Sequence, residues 1–351
     1  MNVQIVNVYQ LIATYAFQMA SIPIIDLSLS DKLIKKSLQH AMSSVGFFYI
    51  KNHGIDSEEI NTLSKLFHNF FELPIEEKKK LRMELAGLAW RGWFPLHGEM
   101  TSGKPDRKEG YYFGTECQIE NLKPRLMRGK NLWPDSDRLP KNLAIPDLKP
   151  RLLKYLEDLT KLAQKLLSFV ALSLELERDY FLKRFTSDPT VLFRAFIYPP
   201  GGDPEEWGVA EHTDMGFLTI LKQDDSGGLE VYNKTSETWV SAPPIENTFV
   251  VNIGDMLERW THGIYVATPH RVRNVSGKLR LSMPFFFDPN WDCELEPIDK
   301  DLLKEEVLEL RTDGKERWDG MKMKSLDGKM TYGHFVDGKI TKCFPFLREQ
   351  E

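Results

Sequence analysis

The chain has 351 residues, of which 42% are hydrophobic, and these values are typical of a soluble protein that buries a substantial core. Its net charge of -5 and its pI near 6.0 give it no general attraction to nucleic acid or to an anionic membrane, so neither is expected as a partner. The three cysteines, Cys117, Cys293 and Cys343, lack metal-binding or redox spacing, which favours a reducing, cytoplasmic compartment.

The N-terminal stretch, residues 1–20, is moderately apolar but has no basic start, so it would make a poorly formed secretory signal. It is also too polar to provide the roughly 20 continuous apolar residues that a membrane span needs. We therefore expect a loosely ordered extension here and a single domain over residues 21–351.

Helical periodicity dominates the first half of that domain. Apolar residues recur at three- and four-residue steps in Ser30–Ser44, Ser57–Glu72 and Lys149–Leu176, and Pro74 opens a short charged helix. The leucines of Lys149–Leu176 do not keep a strict heptad, so packing against a sheet is favoured over a coiled coil. Between the first two helices, Phe47–Ile50 is predicted to be a buried strand.

Residues 86–114 are rich in glycine and aromatic side chains and show no clear period. A long irregular segment inside a compact domain is usually functional or disordered, and this composition favours an ordered loop.

After Pro189 the pattern changes to short strands separated by turn signals such as Asp225-Ser226-Gly227-Gly228. Strands are predicted at Val191–Tyr198, Phe217–Gln223, Leu229–Tyr232, Trp239–Val240, Phe249–Ile253, His270–Arg273 and Arg280–Phe287. Several strands at close spacing predict a sandwich or a jelly roll, and with the preceding helices the fold class is α+β.

Candidate metal ligands lie within this strand-rich part. His212 and Asp214 are two residues apart beside a strand, where side chains at i and i+2 share a face. A lone His-x-Asp is weak evidence, but His270 follows downstream, and two imidazoles with one carboxylate form the facial triad of non-haem Fe(II) sites. Arg280 and Ser282 then offer a guanidinium and a hydroxyl that can grip a carboxylate.

In this order and spacing, these residues resemble the iron- and 2-oxoglutarate-dependent oxygenases of the isopenicillin N synthase-like family. Further similar landmarks are Pro23–Leu27, Gly46–Ile55, Tyr198–Pro200, Asn252–Leu257 and Phe286–Asn290. The resemblance implies a double-stranded β-helix (jelly roll) core flanked by mostly N-terminal helices. Within the oxygenase domain it divides the chain into a helix-rich part with the first strands and a substrate loop (21–185), the jelly-roll core (190–290) and a C-terminal extension (291–351).

The same resemblance implies the cofactors and their ligands. Fe(II) would be held by His212, Asp214 and His270, and 2-oxoglutarate by Arg280 and Ser282 with Tyr198 as a further donor; these residues are the candidate site. With O2 as co-substrate, and ascorbate as a reductant in vitro, such an enzyme releases succinate and CO2 while it hydroxylates, desaturates or cyclises a small molecule. The carboxylate of Asp214 disfavours halogenation, because halogenating relatives have a small residue there.

Three residues are candidates for substrate contact. Arg194 lies four residues before Tyr198 and is expected to meet an acidic ligand or a structural carboxylate. Phe286 matches a position that stacks on substrate in the family, although a plain core role fits equally. Residues 98–106 and 342–345 are similar to bacterial ethylene-forming enzyme, and that similarity points Glu99 toward substrate; the alternative is an acid on a surface loop.

Alternative functions remain at this point. Some family members with the same triad do not use 2-oxoglutarate, and a jelly roll can also be a non-catalytic ligand-binding protein. A Zn(II) hydrolase could use the same three ligands, but it would have no use for the Arg-x-Ser pair. The sequence leaves open whether the chain is a monomer or a weak oligomer.

Overall fold

The computed structural model describes residues 22–117, 126–135, 139, 141–201, 206–310 and 330–343. The extension predicted over residues 1–20 lies outside these ranges, as do residues 344 and 345 of the C-terminal similarity. Among the described residues, no helix is both long enough and apolar enough to cross a membrane.

Two sheets form the core. The large sheet has the strand order β1 (Ile24–Asp26), β2 (Phe47–Lys51), β12 (Thr248–Ile253), β9 (Leu218–Gln223), β14 (Arg280–Asn290), β7 (Pro189–Tyr198), β6 (Glu109–Gly114) and β3 (Gly92–Phe94). The small sheet has the order β11 (Thr238–Ser241), β10 (Leu229–Asn233), β13 (His270–Val272) and β8 (Val209–His212). From β7 onward the chain passes repeatedly between the two sheets, which is the winding of a double-stranded β-helix, so the predicted jelly roll is confirmed.

The helices lie mostly before this core in sequence. They are α1 (Asp31–Ser44), α2 (Ser57–Phe71), α3 (Ile75–Lys79), α4 (Leu148–Ser173), α5 (Tyr180–Arg184), α6 (Asp255–Trp260), α7 (Glu305–Leu308) and α8 (Tyr332–Cys343). Short 3-10 helices occur at Met83–Ala89, Lys141–Leu143 and Lys300–Leu302.

The longest helix, α4, supports the sheet as its leucine pattern predicts. It packs on α1 and α5 and contacts β9 and β14 of the large sheet. Its leucines at helical spacing, among them Leu152, Leu159 and Leu166, are almost completely buried. Each contributes about 1.5–3 kcal/mol by leaving water. The helix therefore fixes the back of the sheet whose strands carry the site.

The prediction of an irregular loop over residues 86–114 is wrong. This segment forms β3 and β6 of the large sheet and a small hairpin of β4 (Met100–Thr101) and β5 (Lys104–Pro105). Strand β6 pairs with β3 on one side and β7 on the other, and Tyr111, Tyr112 and Phe113 are completely buried. Because both faces of β6 are covered, its sequence lacks the alternation that identifies a half-exposed strand.

Candidate metal centre

Two strands and one turn bring the three candidate ligands together. His212 is the last residue of β8, and His270, the first residue of β13, lies directly opposite it in the antiparallel pair. Asp214 lies in the turn between β8 and β9, so the expectation that it shares a strand face with His212 is wrong. Convergence comes from the turn, which directs the carboxylate back toward the two imidazoles.

The distances suit a single ion. Oδ1 of Asp214 is 3.8 Å from Nε2 of His212 and 3.8 Å from Nε2 of His270. One ligand atom from each residue lies within 4.8 Å of the others. Two ligands that are each about 2.1 Å from a shared metal ion can be up to about 4.2 Å apart, so little adjustment is needed to bind one.

Hydrogen bonds orient both imidazoles. Nδ1 of His212 lies 2.8 Å from the carbonyl oxygen of Ala210, and Nδ1 of His270 lies 3.2 Å from that of Thr268. A carbonyl oxygen only accepts, so Nδ1 carries the proton and Nε2 keeps the lone pair that a metal requires. Burial, together with the neighbouring His270, lowers the pKa of His212 to about 3, which keeps this imidazole neutral at physiological pH.

The carboxylate of Asp214 is oriented from its other side. Oδ2 accepts hydrogen bonds from Oγ1 of Thr219 at 2.5 Å and from Nδ2 of Asn252 at 2.7 Å. Burial raises the pKa of Asp214, but the two imidazoles and these hydrogen bonds outweigh burial, and the net pKa is below its ordinary value. The carboxylate is therefore ionised, with Oδ1 directed at the two histidines.

All three ligands line one cavity of about 570 Å³, a volume typical of small-molecule sites. Tyr198, Ser282, Arg194, Phe286 and Glu99 contribute to the same wall. The structure thus brings eight of the nine predicted site residues to one cavity.

The ninth residue, Arg280, is completely buried just behind that wall. Its Nε donates to the carbonyl oxygen of Gly227 at 2.5 Å, and its Nη2 to Oε1 of Gln223 at 3.4 Å. Nη1 has no hydrogen-bond partner among the residues that the structure describes. The guanidinium carbon lies 4.7 Å from the ring of Tyr198, which lines the cavity. A buried cationic donor in this position fits a carboxylate ligand.

Glu99 is not a surface acid, since the residue is only 5% exposed. Its Oε2 lies 2.7 Å from Nζ of Lys108, its Oε1 accepts from the hydroxyl of Tyr112 at 2.7 Å, and Arg194 is 3.6 Å away. Burial raises the pKa of Glu99, but Lys108 and Arg194 bring it below its ordinary value. Arg194 was expected to meet either an acidic ligand or a structural carboxylate, and the structure shows a structural carboxylate, that of Glu99.

Aromatic rings surround the guanidinium of Arg194. Its central carbon lies 4.4 Å from the ring of Tyr112, 4.7 Å from that of Phe286 and 5.2 Å from that of Trp90. Such cation–π contacts hold a charge in place where water is excluded. Phe286 therefore lines the cavity and also contacts the guanidinium of Arg194.

Sequence reasoning missed several supporting residues. Asn252 belongs to a recognised landmark, but nothing in that motif indicates that its amide reaches Asp214. Lys108 lies in a charged run that looks solvated, yet its side chain is only 2% exposed between Glu99 and Asp106. Asp106 and Lys108 lie between β5 and β6, outside any strand, so no periodic signal indicates their contact.

A jelly roll whose cavity is lined by two imidazoles and a carboxylate, with a buried arginine behind the cavity wall, has the donor set of a non-haem iron oxygenase. Comparison with known proteins leads to the same class. The family described as "non-haem dioxygenase in morphine synthesis N-terminal" matches residues 22–136, and the "2OG-Fe(II) oxygenase superfamily" matches residues 187–289.

Similar proteins extend over nearly the whole chain. A "probable iron/ascorbate oxidoreductase" of Dictyostelium discoideum is 44% identical over 93% of this chain and 96% of its own length. A 1-aminocyclopropane-1-carboxylate oxidase of Dictyostelium mucoroides is 37% identical over 92% of this chain and 95% of its own. The solved structure of a full-length Neurospora crassa protein in complex with alpha-KG (2-oxoglutarate) is 26% identical, with a TM-score of 0.70, over 82% of this chain and 90% of that one.

The chain belongs to the 2OG-Fe(II) oxygenase superfamily, in its isopenicillin N synthase-like branch. It is a non-haem iron 2-oxoglutarate-dependent dioxygenase, with Fe(II) and 2-oxoglutarate as cofactors and O2 as co-substrate.

Proposed function

We propose that His212, Asp214 and His270 are the Fe(II) ligands of an enzyme that hydroxylates a small, amino-acid-like molecule. The observation that carries the proposal is the position of Oδ1 of Asp214, 3.8 Å from both Nε2 atoms at the wall of one cavity. These three residues would hold the ion and leave further coordination positions for cofactor and O2.

Bound Fe(II) and 2-oxoglutarate supply the oxidising chemistry, in which O2 is consumed and 2-oxoglutarate is decarboxylated to succinate and CO2. The chain itself orients the reactants and keeps water out. Apolar side chains cover much of the cavity wall, and they include Phe47, Leu192, Val209, Leu221, Leu229 and Val272. His212 and His270 stay fixed because their Nδ1–H groups are held by backbone carbonyls.

Arg280, Ser282 and Tyr198 are proposed to bind the carboxylate of 2-oxoglutarate that is remote from the iron. Arg280 offers Nη1, which lacks a partner among the described residues, and the other two line the cavity beside it. Tyr198 lies directly opposite Arg280 in the β7–β14 pair, so both project from one register position. A charged donor with two hydroxyls suits a carboxylate better than it suits a neutral group.

The substrate proposal rests on two charged residues, Glu99 and Arg194, which also line the cavity. Glu99 and Arg194 place one acid and one base there, and Phe286 supplies an aromatic face. Glu99 and Arg194 already lie 3.6 Å from each other, so a small molecule with an ammonium and a carboxylate would exchange this contact for one with each side chain. The name of the Dictyostelium mucoroides relative, a 1-aminocyclopropane-1-carboxylate oxidase, also specifies an amino acid. Asp214 supplies a carboxylate where halogenating relatives have a small residue, which supports hydroxylation, desaturation or ring formation over halogenation.

A metabolite screen tests this function. The purified chain is incubated with Fe(II), ascorbate and 2-oxoglutarate, and succinate is measured with each member of a library of amino acids, their neutral esters and unrelated apolar compounds. We expect amino acids to raise succinate formation above the uncoupled background and their esters to do so less. His270→Ala is the matched control and should give no stimulation. Stimulation by apolar compounds alone would contradict the substrate class.

A further inference from the structure

The C-terminal helix α8 forms part of the cavity wall, although it begins 43 residues after the segment that matches the oxygenase superfamily, which ends at residue 289. Tyr332, Val336, Lys339 and Ile340 line the cavity that also holds the candidate iron ligands. Tyr332, Val336 and Ile340 are each only 1% exposed. A helix so far along the chain is therefore packed as tightly as the strands of the jelly roll.

Asp288, near the end of β14, connects this helix to the loop that carries Asp214. Its Oδ2 accepts a hydrogen bond of 2.6 Å from the hydroxyl of Tyr332, the first residue of α8. Its Oδ1 accepts a hydrogen bond of 3.2 Å from the backbone N–H of Phe217, three residues after Asp214. Asp288 is only 7% exposed, so both contacts are formed away from water.

The loop approaches this carboxyl group too closely for any side chain at Gly216. A Cβ atom placed on Gly216 would lie 1.4 Å from Oδ1 of Asp288, and one placed on Gly254 would lie 2.2 Å from the carbonyl oxygen of Gly216. Gly216 is thus held between Asp288 on one side and the start of α6 on the other. Only glycine allows this close approach, and the approach fixes the backbone two residues after the carboxylate ligand.

A second contact joins the far end of α8 to the same loop. Nζ of Lys339 lies 3.3 Å from Oδ2 of Asp255, which is completely buried. The backbone N–H of Asp255 donates to the carbonyl oxygen of Asp214 at 2.8 Å, and that of Met256 donates to the carbonyl oxygen of Met215 at 3.1 Å. Both ends of α8 therefore contact residues that hold the backbone of the Asp214 loop.

We propose that Asp288 is a positioning residue for metal binding, which joins the docking of α8 through Tyr332 to the orientation of the Asp214 loop through Phe217. The inference depends on the proposed iron ligation by Asp214. It implies that loss of the Tyr332 hydroxyl loosens the metal site, although that hydroxyl touches no ligand. Supporting groups around a metal site typically affect its affinity by about 10–100-fold, and a more distant one should lie at or below the lower end.

The experiment measures Co(II) affinity by anaerobic titration, and the ligand-field spectrum of the Co(II) complex, in the full-length chain. We expect Asp288→Ala to weaken Co(II) binding by about 10-fold and Tyr332→Phe by at least about threefold, each with an altered spectrum. Asp288→Asn should remain close to wild type, because its amide oxygen can accept from Phe217 while its NH2 donates to the oxygen of Tyr332.

Tyr111→Phe is the matched control, because it also removes a buried tyrosine hydroxyl, one that donates to the carbonyl oxygen of Leu132 at 2.5 Å outside the cavity. Its Co(II) affinity and spectrum should equal those of wild type. Equal effects of Tyr111→Phe and Tyr332→Phe would overturn the inference, as would wild-type binding by a folded Asp288→Ala. If Asp288→Ala does not fold, the comparison of Co(II) affinity between Tyr111→Phe and Tyr332→Phe tests the inference. A separate result would contradict the proposed iron ligation itself. In that case His270→Ala would bind Co(II) as wild type does.

Discussion

The side-chain amide of Asn252 donates a hydrogen bond of 2.7 Å to Oδ2 of Asp214, on the side of the carboxylate that faces away from the two imidazoles. This contact and the one from Thr219 select which oxygen is presented to the metal. Asn252→Ala should therefore lower the affinity for divalent metal by about 10–100-fold while the chain remains folded. The measurement is an anaerobic metal titration by calorimetry.

Asn69→Ala is a suitable control for that experiment, since Asn69 donates to the carbonyl oxygen of Ala144 at 3.0 Å and does not line the cavity. It should bind metal as wild type does. Unchanged affinity in Asn252→Ala would mean that the carboxylate is oriented by other contacts.

Arg280 is predicted to decide the affinity for 2-oxoglutarate without affecting that for metal. Arg280→Lys keeps the charge but shortens the reach and removes the planar pair of donors. We expect the Kd for 2-oxoglutarate to rise by about 10–100-fold, which corresponds to about 1.4–2.8 kcal/mol. Calorimetric titration of the Mn(II)-loaded protein measures this directly. If Arg280→Lys binds 2-oxoglutarate as tightly as wild type does, the carboxylate must lie elsewhere.

Lys108 should be important for stability because it neutralises two buried acids. Its Nζ lies 2.7 Å from Oε2 of Glu99 and 2.5 Å from Oδ2 of Asp106, and all three side chains are at most 7% exposed. Burial lowers the pKa of Lys108, but the two carboxylates raise it above its ordinary value, so the ammonium stays charged. Lys108→Met leaves two buried acids without this partner and should reduce the free energy of unfolding by about 3–5 kcal/mol.

The exposed pair Lys79 and Glu76 provides the comparison, because those side chains are 48% and 73% exposed. Lys79→Met should change the free energy of unfolding by less than about 1 kcal/mol in the same denaturant series. Equal effects of the two lysine substitutions would show that the buried cluster is already neutral without Lys108.

Asp288 should make stability depend on pH in a direction opposite to that of an ordinary ion-paired acid. Burial raises its pKa to about 7, well above the value of about 3.9 in an unfolded chain. The folded state therefore binds the proton more tightly, and the stability from this group is complete below about pH 4 and is lost as pH rises through 7. Asp288→Asn cannot titrate and should not show this loss.

The measurement is the free energy of unfolding of wild type and Asp288→Asn, both without metal, from pH 4 to pH 8. Wild type should lose stability relative to the variant by up to about 1.4 kcal/mol per pH unit between pH 4 and 7, and the difference should then stay constant. A difference that is independent of pH would show that Asp288 is ionised throughout this range.

Local patterns were sufficient to predict most of the longer helices and strands that the structure describes. The leucine stripe of α4 was predicted because one side of the helix meets the core, and β7 and β9 to β14 were predicted close to their observed positions from apolar runs between turn signals. Strand β8, whose last residue is His212, was not predicted. Strand β6 was missed because its three consecutive aromatic residues stand between two glycines, show no alternation and lie in a glycine-rich segment.

In the site, too, local patterns indicated some residues and missed their long-range partners. Spacing and ligand chemistry indicated the triad, and the structure brings His212, Asp214 and His270 to one cavity. The contact between Tyr332 and Asp288 joins residues 44 positions apart and leaves no periodic signal in either segment. Long-range partners of this kind depend on tertiary packing, and a single sequence does not encode them in a local pattern.

The central claim is that one ion binds between two histidines and an aspartate beside an arginine that holds 2-oxoglutarate. A crystal structure of the chain grown anaerobically with Mn(II) and 2-oxoglutarate tests it most directly. We expect one ion within about 2.3 Å of Nε2 of His212, Nε2 of His270 and Oδ1 of Asp214, and a carboxylate within hydrogen-bond distance of Nη1 of Arg280. An ion bound by other residues, or a 2-oxoglutarate molecule whose carboxylates both lie away from Arg280, would contradict this account.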